Sequence, residues 1–258
     1  MTFRLFRDLT VCIAIALTVV SCHAQQSVQQ EIPTAFVLPA CIDSNAVVHH
    51  HAFSLEYSEA DEQPRWVAYM ICRSRIDGPY SRKSTPGCQF RADNAVRTQS
   101  ASPADYKGSG YSRGHLVPAA DMKWDSLAQI ETFLLSNISP QRDNFNSGVW
   151  NRMEMQVRRW ADEYDTLFVV TGPLLMDGGA EQIGINQVTV PTAFYKAIYF
   201  PARHQAVGFL IPHEKSKAAL STFAMSIDEL ETKTGINFFA GMPDEATIES
   251  SFDIIIDK

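Results

Sequence analysis

The stretch Ser-Arg-Gly-His-Leu-Val-Pro-Ala-Ala-Asp, residues 112–121, carries most of the information about the fold and the chemistry of this chain. It places His115 two positions after Arg113. A histidine side chain has an unperturbed pKa of about 6.5 and exchanges protons close to neutral pH, whereas an arginine fork binds phosphate or carboxylate groups through paired hydrogen bonds. Because Gly114 and Pro118 disfavour a helix, we expect both side chains to lie on an extended segment.

One interpretation of this region is a serine hydrolase. Residues 110–114, Gly-Tyr-Ser-Arg-Gly, match the G-x-S-x-G pattern, in which a serine on a sharp turn acts as the nucleophile. That turn requires a buried apolar strand before it and a helix directly after it. The preceding residues 105–109 are Asp-Tyr-Lys-Gly-Ser, and Pro118 follows four positions after Gly114. The setting therefore disfavours Ser112 as a nucleophile.

A second polar block leads into a predicted helix. Residues 137–141 read Asn-Ile-Ser-Pro-Gln, and apolar residues then recur at spacings of three and four, which predicts a helix over 146–164. Positions four apart drift by only ~40° around a helix, so Asn146, Glu154 and Arg158 share one edge. That edge is either a functional surface or an ordinary row of paired charges.

Together the two blocks resemble the DNA/RNA nonspecific endonuclease family of the ββα-metal superfamily, which includes endonuclease G. The family signature, Asp-Arg-Gly-His followed by Leu or Met, any residue, Pro and Ala, is similar to residues 112–119 at every position but the first. The pattern Asn-x-x-Pro-Gln…Asn…Trp…Glu is similar to residues 137–154, and Asn146 follows His115 by 31 positions. The resemblance runs from about residue 68 to about residue 198.

This resemblance implies an α+β, ββα-metal nuclease fold, in which a central antiparallel sheet is flanked by helices. A two-stranded element carries the histidine in such a fold, and the following helix carries the metal ligand. The implied activity is metal-dependent, sequence-nonspecific endonucleolytic hydrolysis of phosphodiester bonds in DNA and RNA.

The resemblance also assigns roles to individual side chains. His115 is matched to the general base that takes a proton from water, and Arg113 to an arginine that grips the scissile phosphate. Asn146 is matched to the sole direct protein ligand of the metal ion, which is Mg²⁺ or, as a possible substitute, Mn²⁺. The alternative role for Asn146 is that of a helix cap. Glu154 would orient metal-bound waters. Arg158 would fix Glu154 or meet a phosphate, or it is an ordinary helix-stabilising partner.

The chain departs from the family pattern in one place and leaves two roles open. Ser112 replaces the usual signature aspartate, which puts the positioning of Arg113 and the metal preference in doubt. Asn137 is a weaker candidate for the outer shell of the metal. The family has another arginine upstream, near an aromatic residue and an aspartate. Phe90 and Asp93 are similar to this aromatic–aspartate pair. The sequence does not decide which basic residue is the arginine; the candidates are Arg82, Lys83 and Arg91.

The other histidines have weaker claims to function. The run 49–51 lies on a predicted strand, so its members point alternately to opposite faces and cannot all meet one ion. We interpret them as structural. We expect His204 and His213, which flank turns, to be solvated.

Outside the motif region, strand patterns frame the helix. We predict antiparallel strands over 47–57 and 66–72 around an acidic turn, a loop-rich segment over 73–112, and a helical tail from 215 to 234. Three further strands are predicted at 167–170, 187–200 and 205–211.

The N-terminus predicts export. Arg4 and Arg7 precede an apolar run that ends at Ser21-Cys22, which is typical of a signal peptide. The final residues resemble a bacterial lipobox, so cleavage before Cys22 would leave a cysteine for acylation and membrane attachment; the alternative is cleavage after Ala24. We predict a lipoprotein-type signal peptide at 1–21, a flexible tether at 22–40 and the endonuclease domain at 41–258, in the bacterial cell envelope or secreted.

If Cys12 lies in the signal and Cys22 is acylated, three cysteines remain: Cys41, Cys72 and Cys88. In an oxidising compartment they allow one disulfide and one free thiol, and the sequence does not choose among the three pairings. No two of them have C-x-x-C spacing, so we interpret them as structural rather than as zinc ligands.

The net charge of the chain is −7, and removal of residues 1–22 would leave −8. Nucleic-acid binding therefore has to depend on a local basic cluster rather than on overall charge. The candidate cluster comprises Arg113, Lys123, Arg142, Arg152, Arg158 and Arg159.

Overall fold

The computed structural model describes residues 38–175, 181–242, 244–253 and 256. The predicted signal peptide, Cys22 and most of the predicted tether lie outside these residues. Within the described ranges, no helix combines the length and apolar character needed to cross a membrane. Before residue 41 the chain already contacts the domain, since the backbone N–H of Ala40 donates to the carbonyl of Asn237 at 2.9 Å.

Short helices and strands alternate along the chain. The strands are β1 Val47–His49, β2 Phe53–Ser58, β3 Gln63–Cys72, β4 Ser112–His115, β5 Ile138–Gln141, β6 Thr166–Leu174, β7 Gln182–Ile183, β8 Val188–Thr189, β9 Ala193–Phe200, β10 Gln205–Pro212 and β11 Ala224–Met225. The helices are α1 Pro103–Tyr106, α2 Ser126–Glu131, α3 Asp143–Phe145, α4 Asn151–Tyr164, α5 Ile227–Thr234 and α6 Glu245–Ser250.

In the described chain, the central sheet has seven strands in the order β1-β2-β3-β6-β9-β10-β11, and every neighbouring pair is antiparallel. Alternation of side chains explains how this sheet is covered on both faces. In β3, Val67 and Tyr69 belong to one buried cluster, whereas Trp66 and Ala68 belong to another. The sheet is therefore the middle layer of three.

Helices cover the two faces of the sheet. The apolar stripe of α4, which includes Met153, Val157 and Trp160, is buried in the first cluster. On the opposite face, Leu230 of α5 and Ile248 of α6 lie in the second cluster. This arrangement confirms the predicted α+β class with a central antiparallel sheet flanked by helices.

Strands β4 and β5 form a separate antiparallel pair in which His115 lies opposite Ile138 and Gly114 opposite Ser139. This pair carries both sequence motifs. Gly114 is required here because a Cβ at this position would collide with the side chain of Gln141, which is fully buried.

Several predicted elements have different bounds in the structure. The strand predicted over 47–57 is divided into β1 and β2, which pair with each other around His50–Ala52. The strand predicted over 187–200 is also divided, and its first part, β8, pairs with β7 instead of joining the central sheet. The helical tail predicted from 215 to 234 is wrong in its first part, where Ala224–Met225 forms strand β11; the helix is α5 alone, and Ser226 caps its N-terminus by accepting from the N–H of Glu229.

The predicted helix over 146–164 is confirmed with one irregularity. Its first turn, Asn146–Trp150, is a π-helical turn, and Gly148 has non-helical angles of φ −101° and ψ −110°. Such turns recur at functional sites. The kink separates Asn146 from the regular helix α4 that carries Glu154.

The state of the three cysteines differs from the expected disulfide. Cys41, Cys72 and Cys88 are free thiols, the first exposed and the other two buried. The disulfide expected from their number is therefore absent among the described residues.

Candidate active site

His115 ends strand β4 inside an aromatic pocket. Its ring centroid lies 5.4 Å from that of Phe90 and 5.1 Å from that of Phe133. Its backbone carbonyl accepts a hydrogen bond from Nε1 of Trp150 at 3.3 Å, which joins the β4–β5 pair to the helix. Burial and the nearby charge of Arg82 lower the pKa of His115 to about 4. The imidazole is therefore neutral at neutral pH, the state required of a proton acceptor.

Two exposed arginines flank this histidine. The guanidinium carbon of Arg113 lies 4.6 Å from the ring centre of Phe90, and that of Arg82 lies 5.2 Å from the same ring. Neither donates a hydrogen bond to another described residue, so both forks can bind an anion. The stacking on Phe90 holds both positive charges on one side of His115.

This geometry bears on the upstream arginine that the sequence left undecided. Arg91 donates to the carbonyls of Gly87 at 3.1 Å and Ile130 at 3.5 Å, so its guanidinium holds these two segments of backbone together. Lys83 is exposed and, within the described residues, has no aromatic ring beneath its ammonium group. Arg82 alone among the three candidates lies beside the histidine pocket.

Asn146 and Glu154 are both partly exposed residues, and neither the carboxamide of the first nor the carboxylate of the second has a hydrogen-bond or ion-pair partner among the described residues. Asn146 therefore does not cap the helix; its backbone N–H bonds to the carbonyl of Arg142 at 2.9 Å. Hard oxygen atoms that have no protein partner suit Mg²⁺, which binds few protein oxygens and keeps most of its waters. These residues fit the ion that the sequence implies.

Beneath these oxygens, Arg158 forms a buried ion pair with Asp121. Its Nη1 lies 2.7 Å from Oδ1 of Asp121, whose side chain is fully buried. The hydroxyl of Tyr69 donates to the other carboxylate oxygen at 3.2 Å. Arg158 thus binds Asp121 and not Glu154 four residues before it, although its charge opposes the rise in the pKa of Glu154.

Lys196, which sequence reasoning missed, completes this charged group. It is fully buried on β9, with its Nζ 4.5 Å from the ring centre of Trp150 and 3.2 Å from Oγ1 of Thr171. Burial raises the pKa of Glu154 to about 7, and the charge of Lys196 opposes that rise. A signal was available, because Lys196 occupies an inward-facing position between the buried Phe194 and Ile198.

Ser112, which stands where the family signature has an aspartate, has an acidic hydrogen-bond partner. Its hydroxyl donates to the carboxylate of Asp143, which lies at the start of α3. A carboxylate from another segment is thus bonded to the residue that occupies the signature position. Ser112 is not on a nucleophile elbow, since strand β4 is followed by the non-helical residues 116–118 and not directly by a helix.

Two sequence expectations about polar residues are wrong. The carboxamide of Asn137 is fully used within the fold: it accepts from the N–H of Val117 at 2.9 Å and donates to the carbonyls of Val117 and Thr132. It shapes the segment after His115 rather than facing a metal. His213, expected to be solvated, is buried, whereas His204 is exposed as predicted.

The hydrogen-bond partners of His213 indicate a structural role. Nε2 of His213 accepts from the backbone N–H of Arg142 at 2.7 Å, and Nδ1 lies 2.8 Å from the carbonyl of Pro191. Both ring nitrogens are therefore engaged by backbone, and burial lowers the pKa of His213, which keeps it neutral. It anchors the segment between β5 and α3. In the run 49–51, His50 bonds to Asp93 at 2.9 Å, a structural contact as expected.

The sequence model that describes DNA/RNA non-specific endonucleases matches residues 39–245. The chain belongs to the DNA/RNA non-specific endonuclease family. Among relatives in this family, the mitochondrial nuclease EXOG of Homo sapiens is 39% identical over 206 residues, which cover 72% of this chain and 55% of that protein. A nuclease of Serratia marcescens is 31% identical over 250 residues, which cover 90% of both chains.

A solved structure agrees with the endonuclease-family fold. The crystal structure of the EndoG/EndoGI complex contains a chain that superposes with a TM-score of 0.70 at 30% identity, covering 76% of this chain and 86% of that one. The likeness confirms the predicted ββα-metal architecture. The chain spans about half the length of the human EXOG nuclease.

Proposed function

We propose that this member of the endonuclease family is a metal-dependent, sequence-nonspecific endonuclease that hydrolyses phosphodiester bonds in DNA and RNA. The observation that carries the proposal is a neutral His115 whose neighbour Phe90 carries the guanidinium groups of Arg82 and Arg113, together with the oxygens of Asn146 and Glu154, which have no protein partner among the described residues and lie on the helical segment that Trp150 joins to His115. Hydrolysis of a phosphodiester requires a base, positive charge at the phosphate and a means of neutralising the leaving oxygen.

In this proposal His115 accepts the proton of the attacking water. Its low pKa keeps the ring free to do so at neutral pH, and the ring contacts with Phe90 and Phe133 restrict its orientation. Arg113 binds the scissile phosphate and Arg82 lies beside it, so both charges oppose the negative charge that develops on the phosphate oxygens.

Asn146 would hold Mg²⁺, or Mn²⁺ in its place, through its carboxamide oxygen, and Glu154 would orient the waters around it. When bound, the ion supplies a Lewis acid that polarises the phosphate and stabilises the leaving oxygen. Arg158 acts at one remove: it is ion-paired with Asp121, and its charge opposes the rise in the pKa of Glu154. Lys196 adds the second buried positive charge.

Lack of sequence preference follows from the type of contact. Arginine forks and a metal site engage phosphates, which carry no base information. Three members of the predicted basic cluster are exposed: Arg113, Arg142 and Arg159. The guanidinium carbon of Arg142 lies 5.8 Å from the ring centre of Tyr111. These side chains provide local positive charge against the net charge of −7.

The first experiment is supercoiled-plasmid nicking and RNA cleavage by the residue 23–258 protein with Mg²⁺, with EDTA, and as His115→Ala. We expect nicking that EDTA abolishes and that His115→Ala lowers by at least ~100-fold. A matched control, His204→Ala, removes an exposed histidine far from the catalytic motifs in sequence. Intact plasmid and RNA with Mg²⁺, Mn²⁺ and Ca²⁺ alike would refute the activity.

We also propose export through the 1–21 signal peptide, with the domain beginning after a tether and attached to the envelope by a lipid on Cys22. The support is the sequence pattern alone. Expression of the full chain with Cys22→Ala tests the attachment: we expect the wild type in the membrane fraction and the variant in the soluble exported fraction. Equal distribution of the two proteins would favour cleavage after Ala24 and secretion.

A further inference from the structure

A cavity of about 350 Å³ opens beside the proposed metal ligand. Its walls come from two parts of the chain: the segment that leads into α4 supplies Asn144, Ser147, Gly148 and Arg152, and the loop after β10 supplies Lys215, Ser216 and Lys217. Three of these seven residues are cationic. None of the described residues that line the cavity is acidic, so its lining carries three positive charges within an acidic protein.

The basic loop is fixed in place by the helix. Nη2 of Arg152 donates to the carbonyl of Ser216 at 3.3 Å and to that of Ala218 at 3.0 Å. These bonds hold the loop against α4 while leaving the charge of the guanidinium unneutralised by any acid. Lys215 and Lys217 are exposed, and neither has an ion-pair partner among the described residues. Two ammonium groups are therefore free to bind an anion at a preformed site.

The position of the cavity identifies the anion. Ser147 and Gly148 directly follow Asn146 in the chain, so at ~3.8 Å per residue their Cα atoms lie within about 8 Å of that of Asn146. Phosphates of one strand succeed each other every ~3.4 Å along a duplex axis. A strand whose scissile phosphate meets Arg113 and Asn146 would thus have a neighbouring phosphate within reach of the cavity.

We infer that this cavity binds a non-scissile backbone phosphate of the nucleic-acid substrate, one or two nucleotides from the bond that is cut. The inference rests on the proposed function, which places the scissile phosphate at Arg113 and Asn146 and so sets the direction of the strand. The site recognises phosphate through Lys215 and Lys217, with Arg152 positioning the loop. It gives the enzyme a second grip on the strand that contributes to binding and not to the chemical step.

The test is the double variant Lys215→Gln/Lys217→Gln, with Arg203→Gln/Lys233→Gln as the control. The control removes the same charge from residues already paired with Asp253 and Glu229. Binding of a fluorescein-labelled 20-nucleotide DNA is measured by anisotropy in EDTA, on a His115→Ala background, over a range of KCl concentrations. We expect weaker binding by about tenfold and a log–log salt slope less negative by about 0.7 to 1.4, as for the loss of one or two single-strand phosphate contacts.

Cleavage then separates this site from the catalytic one. With active protein we expect a higher KM and a kcat within twofold of wild type on long DNA. Lengthening a short oligonucleotide should raise kcat/KM in the wild type and in the control but not in the double variant. Binding and salt slope equal to those of the control would overturn the site even if cleavage is intact. A loss of binding in a protein that cuts nothing would keep the site and refute the activity, and no DNA binding by the wild type would refute both.

Discussion

The ionisation of Glu154 predicts how the need for Mg²⁺ changes with pH. Burial raises the pKa of this carboxyl to about 7, so it is mostly ionised at pH 8 and mostly protonated at pH 6. A protonated carboxyl orients metal-bound waters poorly, because metal ligands and their supports act in the deprotonated form. If Mg²⁺ binds only when Glu154 is ionised, the half-saturating concentration scales as 1 + 10^(pKa − pH), which gives an increase of about tenfold from pH 8 to pH 6, or ~1.4 kcal/mol.

The general base does not interfere in this window. The pKa of His115 is about 4, so its ring stays neutral from pH 6 to pH 8 and its contribution falls only at lower pH, as protons bind it. The assay is the initial rate of plasmid nicking as a function of Mg²⁺ concentration at pH 6, 7 and 8 and constant ionic strength. The matched variant is Glu154→Gln, which keeps the shape and cannot ionise.

We expect Glu154→Gln to need more Mg²⁺ than the wild type at pH 8 and to show no change between pH 8 and pH 6. A wild-type half-saturating concentration that is the same at both pH values would refute the reasoning. So would an equal tenfold rise in the variant, because the titrating group would then lie elsewhere.

Three further variants test the frame around the site. Gly114→Ala forces a Cβ into the buried side chain of Gln141; we expect ~1–3 kcal/mol less stability in urea unfolding and at least ~100-fold slower nicking, and a change below threefold in rate would contradict a fixed hairpin. Lys196→Met removes the charge that opposes the rise in the pKa of Glu154, so we expect this carboxyl to take up a proton at higher pH and the half-saturating Mg²⁺ concentration at pH 7.5 to exceed that of the wild type; an equal half-saturating concentration would disprove the charge argument. Ser112→Asp sets two carboxylates together, and we expect about tenfold slower nicking that the exchange Ser112→Asp/Asp143→Ser restores to within threefold; failure of the exchange to restore the rate would show that Asp143 does not replace the signature acid.

The sequence was sufficient for the parts of the site that depend on short spacings. His115 and Arg113 share a four-residue strand, and the period of an α-helix sets where Glu154 falls relative to Arg158. A family resemblance built on such local patterns predicted the fold class and the pairing of a two-stranded element with a helix. These features depend on interactions between near neighbours, which a sequence shows directly.

Other features depend on contacts between distant residues, and these were missed. Lys196 and Asp143 reach the site from other segments, and nothing local indicates that a lysine on β9 compensates carboxylates more than 40 residues earlier. His213 was misjudged because its burial depends on Arg142, 71 positions away. The two strand breaks differ in their signals: Pro191, which cannot donate to a strand ladder, marks the break before β9 and was overlooked, whereas the break at His50–Ala52 contains neither glycine nor proline.

Trp150 adds a consequence for how activity is lost. Its indole is fully buried, donates to the carbonyl of His115 and lies under Lys196. The turn before α4, strand β4 and strand β9 therefore meet at this one ring. None of the three can shift without disturbing the packing of the others. We therefore expect heat inactivation to coincide with loss of the aromatic circular dichroism signal, with no partly folded species that still cuts, and recovery of activity on cooling to depend on rebuilding the core around this one ring.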